Sequence, residues 1–485
     1  MGIVTAQIQA SDGELIEVLL DNIAIDGYSI PGYKLVIGDT DQDDGFVASG
    51  NPLPISAETL PLPNGGATSD NQDTSNLYLA SLVSGTTISS QPFLIDAFQR
   101  VATANPSSLF DSQFQYDLQP LLWEQITSDG GGIAHQPTLC AARLSTTTTN
   151  NSTAALQTRQ YFRYQPGKAQ QVFVTFVLGA ASANVRRRVG YFDSENGIYL
   201  EQNGTTDLAI VRRTYASGTA VNNRVTQANW SLDSLNGNGP SGLTLDLSKA
   251  QILVIDLQFL GVGRVRVGFD IDGLVVWAHE FLNANSLASV YMTTANLPVR
   301  YEQVASTGAS AATMDCICTS VISSGGFEDE RGYLFGGGNA TAIEAASGSR
   351  TALLGIRPSA TFNSIANRST VIPLEVSVVA GSNPVLVEVL YGATVTGGAY
   401  AAADTASATA INTTPTGITG GIPIAVFHVG ANGNQSQLTS AASIASRLPL
   451  ALDAAGANPI ELALAVTGLG GTSDCYGAIR WKELR

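Results

Sequence analysis

The stretch GVGRVRVGFDIDGLVVWAHEF, residues 261–281, decides the fold. Val265, Val267, Phe269 and Ile271 alternate with Arg264, Arg266, Gly268 and Asp270 up to the pair Asp272-Gly273. A period of two marks a strand with one buried face, and Asp-Gly supplies the two residues of positive φ that a type I′ hairpin turn requires. Counting outward from that turn pairs Ile271 with Leu274, Gly268 with Trp277, Arg266 with His279 and Val265 with Glu280. In that register Asp270, Asp272, His279 and Glu280 spread along the hairpin instead of converging. A guanidinium beside the imidazole also disfavours a metal ion. The stretch reads as architecture.

The same pattern recurs on both sides. RRRVGYFDSENGIYLEQNGTTDLAIVRRT (186–214) carries Asn196-Gly197 and Asn203-Gly204 between alternating runs, and QQVFVTFVLGA (170–180), QILVIDLQFLG (251–261) and TMDCICTSVIS (313–323) add strands. Further on, TVIPLEVSVVAGSNPVLVEVLYGATVTGG (370–398), IPIAVFHVG (422–430), IELALAVTG (460–468) and YGAIRWKELR (476–485) form a second group. A chain of 485 residues is too long for one core. The expected fold is mainly β with few helices. It has an N-terminal attachment module over 1–60 and a linker with one helix over 61–106. A central antiparallel β-sandwich of jelly-roll or concanavalin-like type spans 107–325, and a C-terminal β-sandwich spans 326–485. The helix candidates are 89–106, stopped by Pro106, and 435–448.

Composition narrows the partners. Charged residues make up only 13% of the chain, against about 25% usually. The net charge of −16 excludes nucleic acid and anionic membrane as expected partners, because phosphate binding needs clustered cations. The one basic run, Arg186-Arg187-Arg188, lies in a strand that points Arg187 away from its neighbours, so a face of paired charges is expected. Cys316 and Cys318 would share a strand face as buried thiols, and with Cys140, Cys475 and three histidines they show no zinc-finger spacing. No signal peptide or long apolar run appears, which points to synthesis in a cytoplasm and no membrane insertion.

The acidic turn DTDQDDG (39–45) raises calcium, with Asp39, Asp41 and Asp43 as candidate ligands. Asp44 stands where a calcium loop needs glycine, and Gly50 stands where it needs the closing glutamate. A solvated turn is the reading, with no metal and no cofactor. Catalytic residues are not expected either. Acids spaced Glu-x-Asp-x-x-Glu, a Gly-x-Ser-x-Gly elbow and a phosphate loop are all missing from the sequence, and His135, His279 and His428 are isolated.

Several long motifs look familiar. LFDSQFQYDLQPLLWEQ (109–125), TRQYFRYQPGKAQ (158–170), NVRRRVGYFDSENGIYLEQNG (184–204), QANWSLDSLNGNGPSGLTLDLSKAQILVIDLQFLGVGRVRVGFDIDG (227–273) and YMTTANLPVRYE (291–302) resemble a domain of virion structural proteins of tailed bacteriophages. KLVIGDTDQDDGFVASGNPLP (34–54) is similar to a short N-terminal module of phage particle proteins. The resemblance covers about 20–55 and 107–325. It implies a non-enzymatic particle component made in the cytoplasm of a bacterial host, on head or tail as a fibre, decoration or baseplate subunit. Asn51, Pro52, Leu53 and Pro54 would serve as the attachment arm, because prolines suit a segment outside a sheet interior. Its partners would be other copies of itself, with a trimer expected, other virion proteins and a host-surface glycan. The alternative is a carbohydrate-binding module with Tyr191, Tyr199 and Trp277 as an aromatic platform, or less favourably a polysaccharide depolymerase.

Overall fold

The computed structural model describes residues 105–326, 332–433 and 448–485 with their side chains, and the backbone of four further strands: Val4–Gln9, Leu15–Ile25, Tyr28–Leu35 and Gln435–Leu438. The chain divides into two compact units, Met1–Thr103 and Ala104–Arg485. In the first, the three leading strands form an antiparallel meander in which Val4 pairs with Leu20 and Val18 with Leu35. The expected helix over 89–104, the acidic turn and the Asn51–Pro54 arm lie outside the described residues.

The second unit is two antiparallel sandwiches in succession. In the central one, a seven-stranded sheet runs in the order Val221–Thr226, Asp207–Thr214, Gly197–Asn203, Val185–Phe192, Val299–Ala305, Thr153–Thr158, Trp123–Ser128. The facing sheet runs Leu274–Phe281, Val265–Ile271, Gln251–Leu257, Gln170–Val177, Ala312–Ser323, Ala141–Thr146, Gly132–Gln136, with Ser107–Gln113 also paired to Ala312–Ser323. Gln170–Val177 shows why. Its buried residues Gln170, Val172, Val174 and Phe176 alternate with half-buried ones, so one face of the strand is committed to the core.

That core draws on both sheets: Val172, Phe176, Ile255 and Phe269 meet Val189, Leu200, Ile210 and Val299. Trp123 anchors one end, 1% exposed, with Phe110, Phe114 and Tyr301 ring centroids 5.5–5.9 Å away. Its indole N–H donates to Ser112 Oγ at 2.8 Å, so the buried donor is satisfied. Among the described residues the only helical turn is the short 3-10 segment Gln227–Asn229.

Two β-bulges change the expected registers. Asp272 and Gly273 have φ of 55° and 83°, as the I′ turn requires, and Ile271 does face Leu274 and Gly268 does face Trp277. Beyond Gly268 an extra residue enters the second strand, so Arg266 faces Glu280, Val267 faces His279 and Val265 faces Phe281. The expected Arg266–His279 pairing is therefore wrong. Gly268 permits the bulge, since a Cβ there would sit 2.4 Å from the Val276 carbonyl oxygen. The second bulge falls between Cys316 and Thr319. Met314, Cys316 and Val321 belong to the core, whereas Cys318 is half-exposed, so the two cysteines do not share a face as expected.

In the C-terminal sandwich one sheet runs Tyr333–Gly338, Ser473–Leu484, Thr370–Ala380, Gln435–Leu438, with Ile343–Ala345 also on Ser473–Leu484. The other runs Ala401–Ala402, Thr409–Asn412, Thr351–Pro358, Leu462–Gly468, Val385–Thr396, Gly417–Val429. A separate core of Leu354, Val378, Val387, Leu464, Ile479 and Trp481 lies between them. The helix expected over 435–448 is corrected at its start: Gln435–Leu438 pairs antiparallel with Val376–Val379 and extends the sheet. Ladder hydrogen bonds to a neighbouring strand outweigh local helical propensity there. Residues 439–447 lie outside the described residues. The sandwiches join where the Ala454 N–H donates to Glu124 Oε2 at 2.8 Å and the Arg368 guanidinium lies 4.4 Å from the Tyr161 ring centre.

Candidate functional site

The face of the seven-stranded sheet turned away from the core holds the densest group of functional side chains. Strand pairing builds it, for Arg188 stands opposite Glu201 on one neighbour and Glu302 on the other. Arg188 Nε donates to Glu201 Oε2 at 2.7 Å, and its Nη1 donates to Glu302 Oε1 at 2.8 Å. Arg224 then bridges Glu201 and Asp207, each at 2.8 Å. Arg300 holds Glu302 at 2.7 Å and donates to Gln157 at 2.8 Å. The result is a continuous row of alternating charge across five strands, and Arg188, Glu201 and Glu302 are all buried within it.

This electrostatic setting decides what the acids can do. Burial alone would raise the Glu302 carboxyl, but Arg300 and Arg188 beside it hold it below the ordinary carboxylate range. A general acid needs the opposite shift. Each carboxylate of this face lies against at least one guanidinium group, so the face is built of paired charges. The central member of the basic run behaves differently: Arg187 points inward, and burial lowers it to about 10. It donates to Gln303 at 2.9 Å, Gln202 at 2.8 Å and the Ala180 carbonyl at 2.9 Å, which satisfies a cation that has no carboxylate beside it.

The expected aromatic platform does not assemble. Tyr191 is a core residue, fully buried, with its hydroxyl among the carbonyls of Phe162 and Ala295 and the N–H of Leu297. Tyr199 lies on the polar face but is roofed by cations. Arg213 and Arg188 lie 5.1 and 5.5 Å from its ring centre, and its hydroxyl accepts from Arg213 at 3.0 Å. Tyr199 packs with Phe192, Ala209 and Val211 into a small second apolar cluster, so neither tyrosine offers a face to a sugar. Trp277 alone is half-exposed, on the edge strand, with the Arg266 guanidinium 4.4 Å from its ring centre and Arg266 paired to Asp256 at 2.6 Å.

His279 is buried, and burial lowers its basicity. Its Nδ1 accepts from Ser231, from the backbone N–H at 3.1 Å and within reach of the hydroxyl at 3.0 Å. No local signal points to this partner, because Ser231 lies 48 positions away and no turn links the two. Asp270 donates no pair to His279; its Oδ1 caps the hairpin turn by accepting from the Gly273 N–H at 2.9 Å. Among the described residues no group of three or more His, Cys, Asp and Glu is placed to hold a metal ion. The calcium candidates Asp39, Asp41 and Asp43 and the arm residues Asn51, Pro52, Leu53 and Pro54 lie outside the described residues.

Recesses are shallow. A cleft of about 340 Å³ lies between the sandwiches, lined by Leu121, Arg159, Tyr391, Ile422 and Ile460. A trough of about 550 Å³ crosses the C-terminal sheet between Phe335, Glu375 and Arg480. Both are open to solvent, and neither contains convergent acids. No helix among the described residues is long and apolar enough to cross a membrane.

No protein-family model and no curated relative matches the sequence. Solved structures similar to it include a protein of unknown function from Shewanella oneidensis MR-1, at 10% identity and a TM-score of 0.32, covering 55% of this chain and 99% of that one. A Bacteroides ovatus GH16 protein, solved with a mixed-linkage glucan product, is similar at 9% identity and 0.31, over 44% of this chain and 99% of its own. A legume lectin-like domain from Entamoeba histolytica follows at 7% identity and 0.28, over 45% and 98%. These are loose likenesses, and what those proteins bind or act on belongs to them.

Proposed function

We propose that the chain is a non-enzymatic structural component of a tailed-phage virion, attached through its N-terminal region and displaying two β-sandwiches outward. The observation that carries the non-enzymatic half of this reading is the locking of Glu201, Glu302 and Asp207 by Arg188, Arg224 and Arg300. Glu302 is held below the ordinary carboxylate range, the opposite of what a general acid needs, and the other acids of this face are committed to arginines in ion pairs. The virion half rests on the long motifs over 34–54 and 107–325 that resemble particle proteins, and on a surface poor in charge that suits packing against neighbours. A homo-oligomer, with a trimer first, would multiply weak contacts with a host surface into avidity.

The test is antibody labelling of purified particles with serum raised against residues 107–485. Labelling at symmetric positions supports the reading, and particles free of both label and the polypeptide overturn it.

Carbohydrate recognition is the second reading, and one observation favours it. The half-exposed Trp277 indole, backed by Arg266, offers a single apolar face beside hydrogen-bonding groups. A glycan array separates the two readings: binding that Trp277→Ala abolishes supports recognition through this ring, and silence on every glycan removes it.

A further inference from the structure

Asparagine followed by glycine readily loses its side-chain amide, because glycine has no Cβ to keep its backbone nitrogen away from the asparagine Cγ. Five such pairs fall in the described residues, beginning at Asn196, Asn203, Asn236, Asn238 and Asn432. The fold treats them unequally. Asn196 is 1% exposed, and its side chain donates to the Thr293 hydroxyl at 2.8 Å and accepts from the N–H groups of Thr293 and Tyr215. Asn203 donates to Asp207, and the Gly204 N–H is committed to the Val185 carbonyl at 2.9 Å. Asn236 Oδ1 accepts from the Ser234 hydroxyl and the Asn238 N–H, and the Gly237 N–H donates to the Leu243 carbonyl at 2.9 Å. The Gly433 N–H donates to the Ala380 carbonyl at 2.9 Å.

Asn238-Gly239 is under none of these restraints. It lies at the tip of a loop whose base is closed by Leu245 N–H donating to the Leu235 carbonyl and by the bridge between Asn236 and Thr244. Leu235 is buried in the core, and the Asp233 carboxylate accepts from the N–H groups of Leu235 and Ser241, each at 2.8 Å, so the base of the loop is fixed. Asn238 is exposed, and among the described residues neither its side-chain amide nor the Gly239 N–H has a hydrogen-bond partner. Both reacting groups are therefore free to meet, at a loop tip where local change is best tolerated.

We infer that Asn238 is a spontaneous modification site, converted with time to aspartate and isoaspartate while the other four described pairs persist. The Gly239 nitrogen gives up its proton to hydroxide and attacks Asn238 Cγ. A C–N bond forms, the bond from Cγ to Nδ2 breaks, and ammonia leaves, which closes a five-membered imide. Water then opens the imide at either carbonyl. Opening at one side gives aspartate at 238, and opening at the other gives isoaspartate, with an extra methylene in the main chain. One water is consumed, one ammonia is released, and nothing is oxidised or reduced. Each event adds one negative charge to a chain whose net charge is already −16, so older copies differ from new ones at this loop.

The experiment ages the full-length chain in mildly alkaline buffer, in parallel with the same chain in urea, and follows the amide-to-acid mass gain of each Asn-Gly peptide by mass spectrometry. In the folded protein Asn238 should convert at least about fivefold faster than any of the other four, since each of those must first break hydrogen bonds. In urea the five rates should draw together. Asn238→Gln should remove the fast event, because a glutamine side chain must close a larger ring. Gly239→Ala is unsuitable, since a Cβ there would lie 1.9 Å from Asp233 Oδ1. Conversion of Asn203, Asn236 or Asn432 as fast as Asn238 in the folded protein would overturn the inference, and so would the same preference for Asn238 in urea.

Discussion

The two sandwiches share an architecture and differ in how they treat charge. The central one carries a row of ion pairs across an outer sheet face, with Arg188 gripped on both sides by buried glutamates. The C-terminal one sinks Glu483 fully inside and, apart from it, buries Glu461 against Arg357. Glu483 is met there by the Ser407 hydroxyl at 2.5 Å, the Ala408 N–H at 2.9 Å, the Trp481 indole N–H at 3.1 Å and Arg485 at 3.0 Å. One domain links its charges into a row across a sheet face, and the other holds its acids at separate sites. A linked row resists loss of any exposed member but depends on its hub, whereas an isolated site depends on its own acid.

The largest effect should come from that hub. Arg188→Ala strands two buried carboxylates, so the central sandwich should lose about 3–5 kcal/mol in denaturant unfolding while the C-terminal sandwich stays unchanged. Glu483→Ala should do the reverse. It leaves the Ala408 and Trp481 donors without an acceptor and should cost the C-terminal sandwich about 2–3 kcal/mol, seen as a shift of its own calorimetric transition. If either variant moved both transitions equally, the two domains would not be separate in their energetics. Tyr199→Phe removes one hydroxyl that accepts from Arg213 and donates to Asn222 at 3.2 Å, and should cost about 1 kcal/mol in the same unfolding assay. Trp277→Ala, at a half-exposed edge position, should change stability by less than about 0.5 kcal/mol.

Much of the central sandwich could be read from local signals. Asp272-Gly273 fixed a hairpin because turn chemistry acts over a few residues, and the expectation of paired charge at Arg186–Arg188 matches the lattice around Arg188. Counting outward from Asn196-Gly197 as a two-residue turn would have placed Glu201 opposite Phe192; the strands instead close at Phe192 and Gly197 around a four-residue loop, which is what brings Glu201 opposite Arg188. The bulges were not legible either. Inserting one residue opposite Gly268 and another before Thr319 moved His279 and Cys318 to new partners, and nothing in an alternating pattern announces such an insertion. The aromatic platform failed for a related reason. Period two assigns a tyrosine to a face, but only tertiary packing reveals that Tyr191 faces the core and that arginines lie over Tyr199. The 435–448 helix failed at its start because a strand edge nearby offered hydrogen bonds that propensity cannot weigh.

The most direct measurement is the titration of the buried glutamate carboxyls, followed by carbon NMR on selectively labelled protein. Glu302 and Glu483 both sit below the ordinary 4.5 when folded, Glu302 because Arg300 and Arg188 outweigh its burial, Glu483 because Ser407, Ala408 and Arg485 do. A depressed folded value means that their stabilisation is fully present above 4.5 and is lost as pH falls through the folded value. The account therefore predicts that both carboxyls titrate below 4.5, with acid unfolding following them. Titration of Glu302 near pH 6–7, about where a working general acid sits, would contradict the claim that the sheet face is locked architecture.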